Sequence, residues 1–464
     1  MSVSDSLIFS NKVGKAEKSS LAKGIEQQVW TKYAFLFLIL ASFSVDFFTP
    51  YLVRMRILPN SVRFLADAAI LGLFVLLLFR SIVFDKIPLP LFLIFAILAV
   101  WGLVATYEGQ PLLATLWGAW RLFKYPIIGI LTYLQPFWPD NFHETLRIGC
   151  LRLLQVNISL QIFQYASGDI PGDHLSGFFG KHGVSPLLFL IIFCLAVALG
   201  RWLAESKWDM LLWVLPLGAV ASGLGEMKLF PFVVVALSSV TFVVQLLRGR
   251  QYQKLFFYVV FVAIVTVSFG MFYNTVVAEA RGTLRIEEYL NVETLDEYLN
   301  RSYRRDNGNY YLGRGFALQL GWDTIQRDGT TFLFGMGVGT RSESTTLGVA
   351  GAGLVESVYG LNSGTSLLVM MQEFGVVGLV LFEIIMLWSV FVLWLSVEKN
   401  SKSPYNTLRF AIMLLSLLWP IWLWYSQTWT FGVFMTLYWG TLGYLLGFAK
   451  NNEPVPEPVS ESSA

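Results

Sequence analysis

Runs of mostly apolar residues recur along the chain and are broken by short polar connections. They fall at 33–48, 64–84, 87–106, 112–134, 145–166, 184–203, 208–222, 229–247, 254–273, 376–397, 407–425 and 429–448. A helix crossing a bilayer needs roughly 20 such residues, so the pattern predicts about twelve membrane spans. The predicted fold class is an all-α integral membrane protein. Two stretches interrupt the rhythm. Residues 1–32 are polar and carry Lys12, Lys15, Lys18, Lys23 and Lys32; they read as a tail, because a signal peptide would place its apolar region much earlier. Residues 274–363 separate the ninth span from the tenth, and a loop this long is usually functional. Its apolar-periodic part at 316–325, with Trp322, predicts short helices folded over the membrane domain. The organisation is then a tail (1–32), nine spans (33–273), the long loop (274–363), a short helix with three spans (364–448) and a disordered tail (449–464). That last tail carries Pro454, Pro456 and Pro458 among acidic residues. No internal repeat relates the two halves.

Composition agrees. Of 464 residues, 55% are hydrophobic and 14% charged, with mean hydropathy +0.59. Soluble domains are about 25% charged, so a water-soluble core is excluded. The net charge of +2 gives no sign of a nucleic-acid partner. Cys150 and Cys194 lie in apolar runs, which excludes a disulfide framework, and His143, His174 and His182 are too scattered for a metal cluster. No metal or cofactor is predicted. With the N-terminus inside, the inner connections hold Arg80, Lys86, Arg201, Lys207, Arg248, Arg250, Lys254, Lys399, Lys402 and Lys450. The short outer connections at 107–111, 223–228 and 426–428 hold only Lys228; Arg54, Arg56 and Arg63 dissent. The positive-inside rule therefore puts both termini in the cytoplasm and the long loop outside.

The cations of that loop are Arg281, Arg285, Arg301, Arg304, Arg305, Arg314, Arg327 and Arg341, without one lysine. Arginine grips phosphate and carboxylate bidentately and stays charged. The competing reading is surface ion pairs with acids such as Glu287, Glu288, Asp296 and Glu297. Arg281 and Arg285, expected a helical turn apart just beyond the ninth span, suit a diphosphate at headgroup level. The Arg301–Arg305 cluster (Arg301, Arg304 and Arg305) suits loop packing or substrate steering. Arg121 and Lys124 lie mid-span, three apart, and charges there default to functional hypotheses. With the polar next span (Arg152, Gln155, Asn157, Ser159, Gln161, Gln164) they line a hydrated cavity or make buried contacts between helices. Arg63 and Asp67 read as a structural pair. The connection 167–183, with Asp169, Asp173, His174, Lys181 and His182 alongside Gly177, Gly180 and Gly183, reads as a turn or a ligand loop. In the stretch Gly223-Leu-Gly-Glu-Met-Lys228, Lys228 is placed to hold a phosphate and Glu226 to orient it; the alternative is an interfacial pair.

The layout resembles the O-antigen polymerase and O-antigen ligase superfamily of bacterial polysaccharide enzymes. Those have about a dozen spans, cytoplasmic termini and one long outer loop before the last spans. The stretch 223–228 is similar to a charged motif at the start of a span in many members. Residues 333–344, Leu-Phe-Gly-Met-Gly-Val-Gly-Thr-Arg-Ser-Glu-Ser, resemble a glycine-rich stretch late in their loop. Residues 364–378 resemble a motif in which His-Asn precedes an apolar helix and GxxG. The ligases begin that motif with a proposed catalytic histidine; here Gly364 stands there, followed by Thr365, and the long loop has no histidine. This favours a polymerase-like member over a ligase.

The resemblance implies glycosyl transfer at the outer face of the bacterial cytoplasmic membrane. The partner it implies is an undecaprenyl-diphosphate-linked oligosaccharide, among membrane lipids, with a chain-length regulator as a further candidate. The expected catalytic group is Arg281, Arg285 and Lys228 on the leaving diphosphate, with Glu226, and second Glu356, taking the acceptor proton. Arg341, Arg121, Lys124, Arg304 and Arg305 are the substrate-binding candidates. Ligase-like transfer is the runner-up, and a transporter or flippase is the rival from another class. Transporters commonly show related halves, which this chain lacks.

Overall fold

The computed structural model describes residues 52, 57–83, 89–135, 138–139, 141–180, 183–248, 252–304, 310–344, 348–355 and 364–449. Among these, strand is confined to two antiparallel two-residue pairs, Tyr303–Arg304 with Tyr310–Tyr311 and Glu343–Ser344 with Val349–Ala350. Everything else regular is helix, as an all-α chain requires.

The helix Val184–Glu205 is apolar all round, and a helix with no polar face must be enclosed on every side. It is buried almost throughout by protein, forming the axis of the bundle. Its closest partner is Asn406–Leu417. Gly200 permits that approach: a Cβ there would run into the backbone of Thr407 and Ala411. Small residues at crossings allow helix backbones to close up where packing alone drives association.

Among the described residues, four helices are long and apolar enough to cross a membrane: Val184–Glu205, Phe230–Leu247, Tyr258–Arg281 and Ser366–Lys399. A fifth candidate is the pair Asn406–Leu417 and Trp419–Tyr425, bent by 56°. Shorter apolar helices occupy Phe64–Leu76, Phe92–Tyr107 and Asp209–Leu224. Leu112–Leu134 (23 residues) and Phe142–Ala166 (25 residues) have the length for a span but carry several charges and amides. The expected first span, 33–48, lies outside the described residues.

The long loop does fold into short helices. Val292–Asn300 is capped by the Asn291 side chain, and Arg314–Ile325 covers the stretch where the periodicity predicted a helix. Gly329–Phe334 starts at Asp328, whose carboxylate accepts the N–H groups of Thr330 and Thr331. After the loop, Ser366–Lys399 is two helices joined at Gly375, whose φ of 63° and ψ of −165° break the helical path. The expected short helix before the tenth span is the half preceding Gly375. Thr365 caps it by accepting the Leu368 N–H at 3.2 Å.

Candidate functional site

The stretch 223–228 closes the helix Asp209–Leu224 and leads into Phe230–Leu247. Two tight hydrogen bonds fold it, Met227 N–H to Ser222 C=O at 2.7 Å and Glu226 N–H to Gly223 C=O at 2.9 Å. They hold Glu226 at a φ of 57°, a left-handed conformation costly for a residue with a Cβ. In that geometry the Glu226 carboxylate meets two cations. Oε2 pairs with the Arg281 guanidinium, and Oε1 lies 3.2 Å from Lys228 Nζ.

Arg281 arrives from the neighbouring helix. Tyr252–Phe272 continues through a π-helical turn, Tyr273–Ala278, and ends at Glu279–Arg281. The extra residue in each turn of a π segment rotates the positions beyond it, and such insertions recur at functional sites. Gly282 then ends the helix in the left-handed conformation. This corrects one expectation. Arg285 lies beyond the helix end, so it is not a turn above Arg281 on the same face. It is exposed, its backbone N–H donates to Glu288 Oε2 at 2.6 Å, and its guanidinium joins no ion pair among the described residues.

Lys228 has a second set of partners in the loop. Its Nζ donates to the Tyr289 hydroxyl at 2.6 Å and lies 4.4 Å from the Tyr289 ring centre and 5.7 Å from that of Tyr298. Burial lowers the lysine's pKa, but the Tyr289 hydrogen bond, Tyr273 and Glu226 outweigh it, and the net shift is upward. Lys228 is a permanent cation here. Tyr298 is also met by Arg314, which donates to the Tyr298 hydroxyl at 3.0 Å and to the Tyr425 carbonyl at 2.9 Å. The chain of contacts ties loop helices to the end of the bent membrane helix. Tyr289, Tyr298 and Arg314 were not selected from sequence; the cation–aromatic alternation is visible only once the loop is folded.

The third wall is the 167–180 connection. Gly172 donates to the Leu224 carbonyl at 2.8 Å, and a Cβ on it would strike Arg281 and come within 3.5 Å of Glu226 Oε2. Its φ of 137° also favours glycine. The polar residues of Phe142–Ala166 hold this connection. Gln161 Nε2 donates to the Leu175 and Ala221 carbonyls at 2.7 and 2.8 Å, and Asn157 Oδ1 accepts the Phe178 N–H at 2.9 Å. Of the two readings of these amides, hydrated cavity or buried contact, Gln161 and Asn157 follow the second, clamping the 167–180 connection and the Ala221 carbonyl.

The remaining candidates separate. Lys124 pairs with Asp67 at 2.9 Å, a contact between helices, while the side chain of Arg63, expected on Asp67, lies outside the described residues. Arg121, three residues away, is directed electrostatically to Glu373 and Glu343. Arg341 is buried beside Glu373. Arg301 makes an exposed pair with Glu297 at 2.9 Å. The Arg304 backbone pairs in a two-residue strand, while its side chain, Arg305 and Glu356 lie outside the described residues. Glu373 was missed, although a lone acid in an apolar run is the signal for it. A pocket of about 290 Å³ lies elsewhere, among His143, Glu144, Arg147, Glu205, Lys402 and Thr407, and contains none of the predicted residues.

No family model matches the chain, and no curated protein matches it.

Proposed function

We propose that the protein is a polysaccharide polymerase-like glycosyltransferase that joins glycan repeats carried on a lipid diphosphate at the long-loop face of the membrane. The observation that carries this reading is the meeting of Arg281 and Lys228 on one carboxylate, Glu226. A carboxylate holding one cation from its own turn and one from the end of a neighbouring helix occupies the place of a phosphate oxyanion. An arriving diphosphate takes over the guanidinium and the ammonium, which leaves the Glu226 carboxylate oxygens free to accept a proton. The acceptor hydroxyl then attacks the anomeric carbon, and its proton passes to Glu226. The anomeric C–O bond breaks with its electron pair going to the diphosphate, whose growing charge Arg281 and Lys228 stabilise. Gly172 keeps the third wall free of side chain, and Tyr289 with Tyr298 fixes Lys228.

Purified full-length protein and a synthetic lipid-linked repeat test the reaction. Longer glycan with release of lipid diphosphate supports it; counterflow of the lipid without product makes the protein a transporter and ends the proposal. Orientation is a separate test. Ser302, exposed in the loop, replaced by cysteine in a cysteine-free background, should react with an impermeant thiol reagent in spheroplasts. Labelling only after lysis would put the loop on the wrong side for a lipid-linked donor.

A further inference from the structure

The helix Tyr258–Arg281 outruns its neighbours at the loop end. Its exposed apolar stripe, Val260, Ile264, Val267 and Met271, keeps helical spacing and stops at Met271. The next positions on that face, Asn274 and Thr275, are polar. Two neighbouring helices mark the same level. The Phe269 ring lies 5.5 Å from that of Phe230, at the start of Phe230–Leu247. A Cβ on Gly223, at the end of Asp209–Leu224, would strike the Phe272 ring. Both neighbours therefore end beside residues 269–272, and roughly two further turns of the longer helix stand above the apolar layer.

Beyond Gly282 the chain comes back down along this projecting end. Thr283 N–H donates to the Ala278 carbonyl at 3.1 Å, and Ile286 N–H donates to Asn274 Oδ1 at 2.9 Å. Ile286 reaches lower still, since a Cβ on Gly270 would lie 3.3 Å from its Cγ2. Ile286 and Tyr289 are three apart in the 3-10 helix Ile286–Leu290, where such positions eclipse. One packs toward Gly270 and the other holds Lys228, so both face the protein. Leu284, Leu290 and Val292 are exposed instead, the last two at 69% and 78%. The acids beside them are held by protein groups: Glu287 accepts from Asn274 Nδ2 at 2.8 Å, and Glu288 from the Arg285 N–H. Arg285, also exposed, has a stem long enough to keep its charge among headgroups.

We infer that residues 283–292 form an interfacial strap in the headgroup layer of the loop-side leaflet, with Leu284, Leu290 and Val292 inserted among the lipid chains. The occupant is a phospholipid surface, because these apolar side chains return to the level where the exposed stripe of the spanning helix ends. Apolar side chains displayed at that level bind the acyl boundary, while flanking charges stay in the headgroups. The strap also carries Tyr289, so one short segment touches lipid on one side and the Lys228 ammonium on the other. The inference requires that the chain span a membrane, and it stands whether or not the Glu226 turn transfers glycan.

The test uses full-length protein in phosphatidylcholine nanodiscs holding one copy each. Leu284→Cys, Leu290→Cys and Val292→Cys are made singly in a cysteine-free background and labelled with an environment-sensitive NBD fluorophore. Ser302→Cys, exposed farther along the loop, is the aqueous reference. The strap labels should emit to the blue of the reference. They should be quenched by phosphatidylcholine spin-labelled high on its acyl chain and shielded from iodide in the buffer, with the reverse at Ser302. Iodide quenching at the reference level for two or more strap positions would put the strap in water and overturn the inference. A blue shift without spin-label quenching would overturn it too, because a protein surface would then cover the patch. If one variant fails to fold, as judged by its melting, the other two positions carry the test.

Discussion

The Glu226 turn and the Glu373–Arg341 contact each set a carboxylate beside an arginine, under opposite conditions. At the turn the charges are partly exposed, with side-chain exposures of 13% for Glu226, 17% for Lys228 and 36% for Arg281, and both carboxylate oxygens are paired. Around Glu373 the groups are buried and incompletely paired. Water at the turn screens the ions and lets partners exchange at low cost. In the interior an unmatched ion keeps most of its penalty. Ion partners can therefore exchange at lower cost at the turn than around Glu373.

The contrast is most vulnerable at the turn. Arg281→Lys keeps the charge but loses the fork, and Lys228→Ala removes the cation that Tyr289 and Glu226 hold. Removing one preorganised contact to a developing charge costs about 10²–10³ in turnover. Each variant should reduce polymer to that extent in a complementation assay read on gels, with normal protein by blot. Arg327→Ala, exposed and away from the cluster, should make normal polymer. Full ladders from both site variants would remove the turn from the mechanism.

At the Glu373–Arg341 contact the main effect should fall on stability. Gly375→Ala puts a Cβ at a φ of 63° against the Leu333 carbonyl carbon, 2.7 Å away. The expected loss is about 3 kcal/mol, read as a lower melting temperature or less protein in the membrane. Unchanged melting would mean that segments 333–344 and 364–378 are not locked together.

A smaller loss is expected at the clamp supporting the turn. Gln161→Leu leaves the Leu175 carbonyl without its side-chain donor, while the Ala221 carbonyl keeps the Gly225 N–H, at a cost of about 1–3 kcal/mol. Polymer yield should fall with the melting temperature, because the Gly172 wall loosens; a fall in melting temperature alone would separate the clamp from the site. Chelation should change least. A leaving group held by Arg281 and Lys228 needs no divalent ion, so turnover should persist in EDTA. Loss of turnover rescued by magnesium would move charge stabilisation from the arginine–lysine pair to a metal.

Periodicity determined much by itself. The apolar runs at 184–203, 229–247 and 376–397 became helices able to cross a membrane, and the stretch at 316–325 became part of Arg314–Ile325. Apolar period and length are local properties, fixed by backbone hydrogen bonding and transfer from water. The sequence also placed Glu226, Lys228 and Arg281 among the candidates, because charges at span ends stand out against an apolar chain. Only tertiary structure decided how the candidates sort. Arg281 reaches Glu226 and Arg285 does not, because a π-helical turn and a left-handed Gly282 set the end of that helix. Lys124 pairs with Asp67 because another helix brings that carboxylate to it, while Arg121, three residues away, makes no ion pair with Asp67 among the described residues. Glu373 acquired its role from a backbone contact between Gly335 and Gly375, which are 40 residues apart in the chain. Pairing among charges depends on distance and dielectric in three dimensions, and neither is written in the local pattern of the chain.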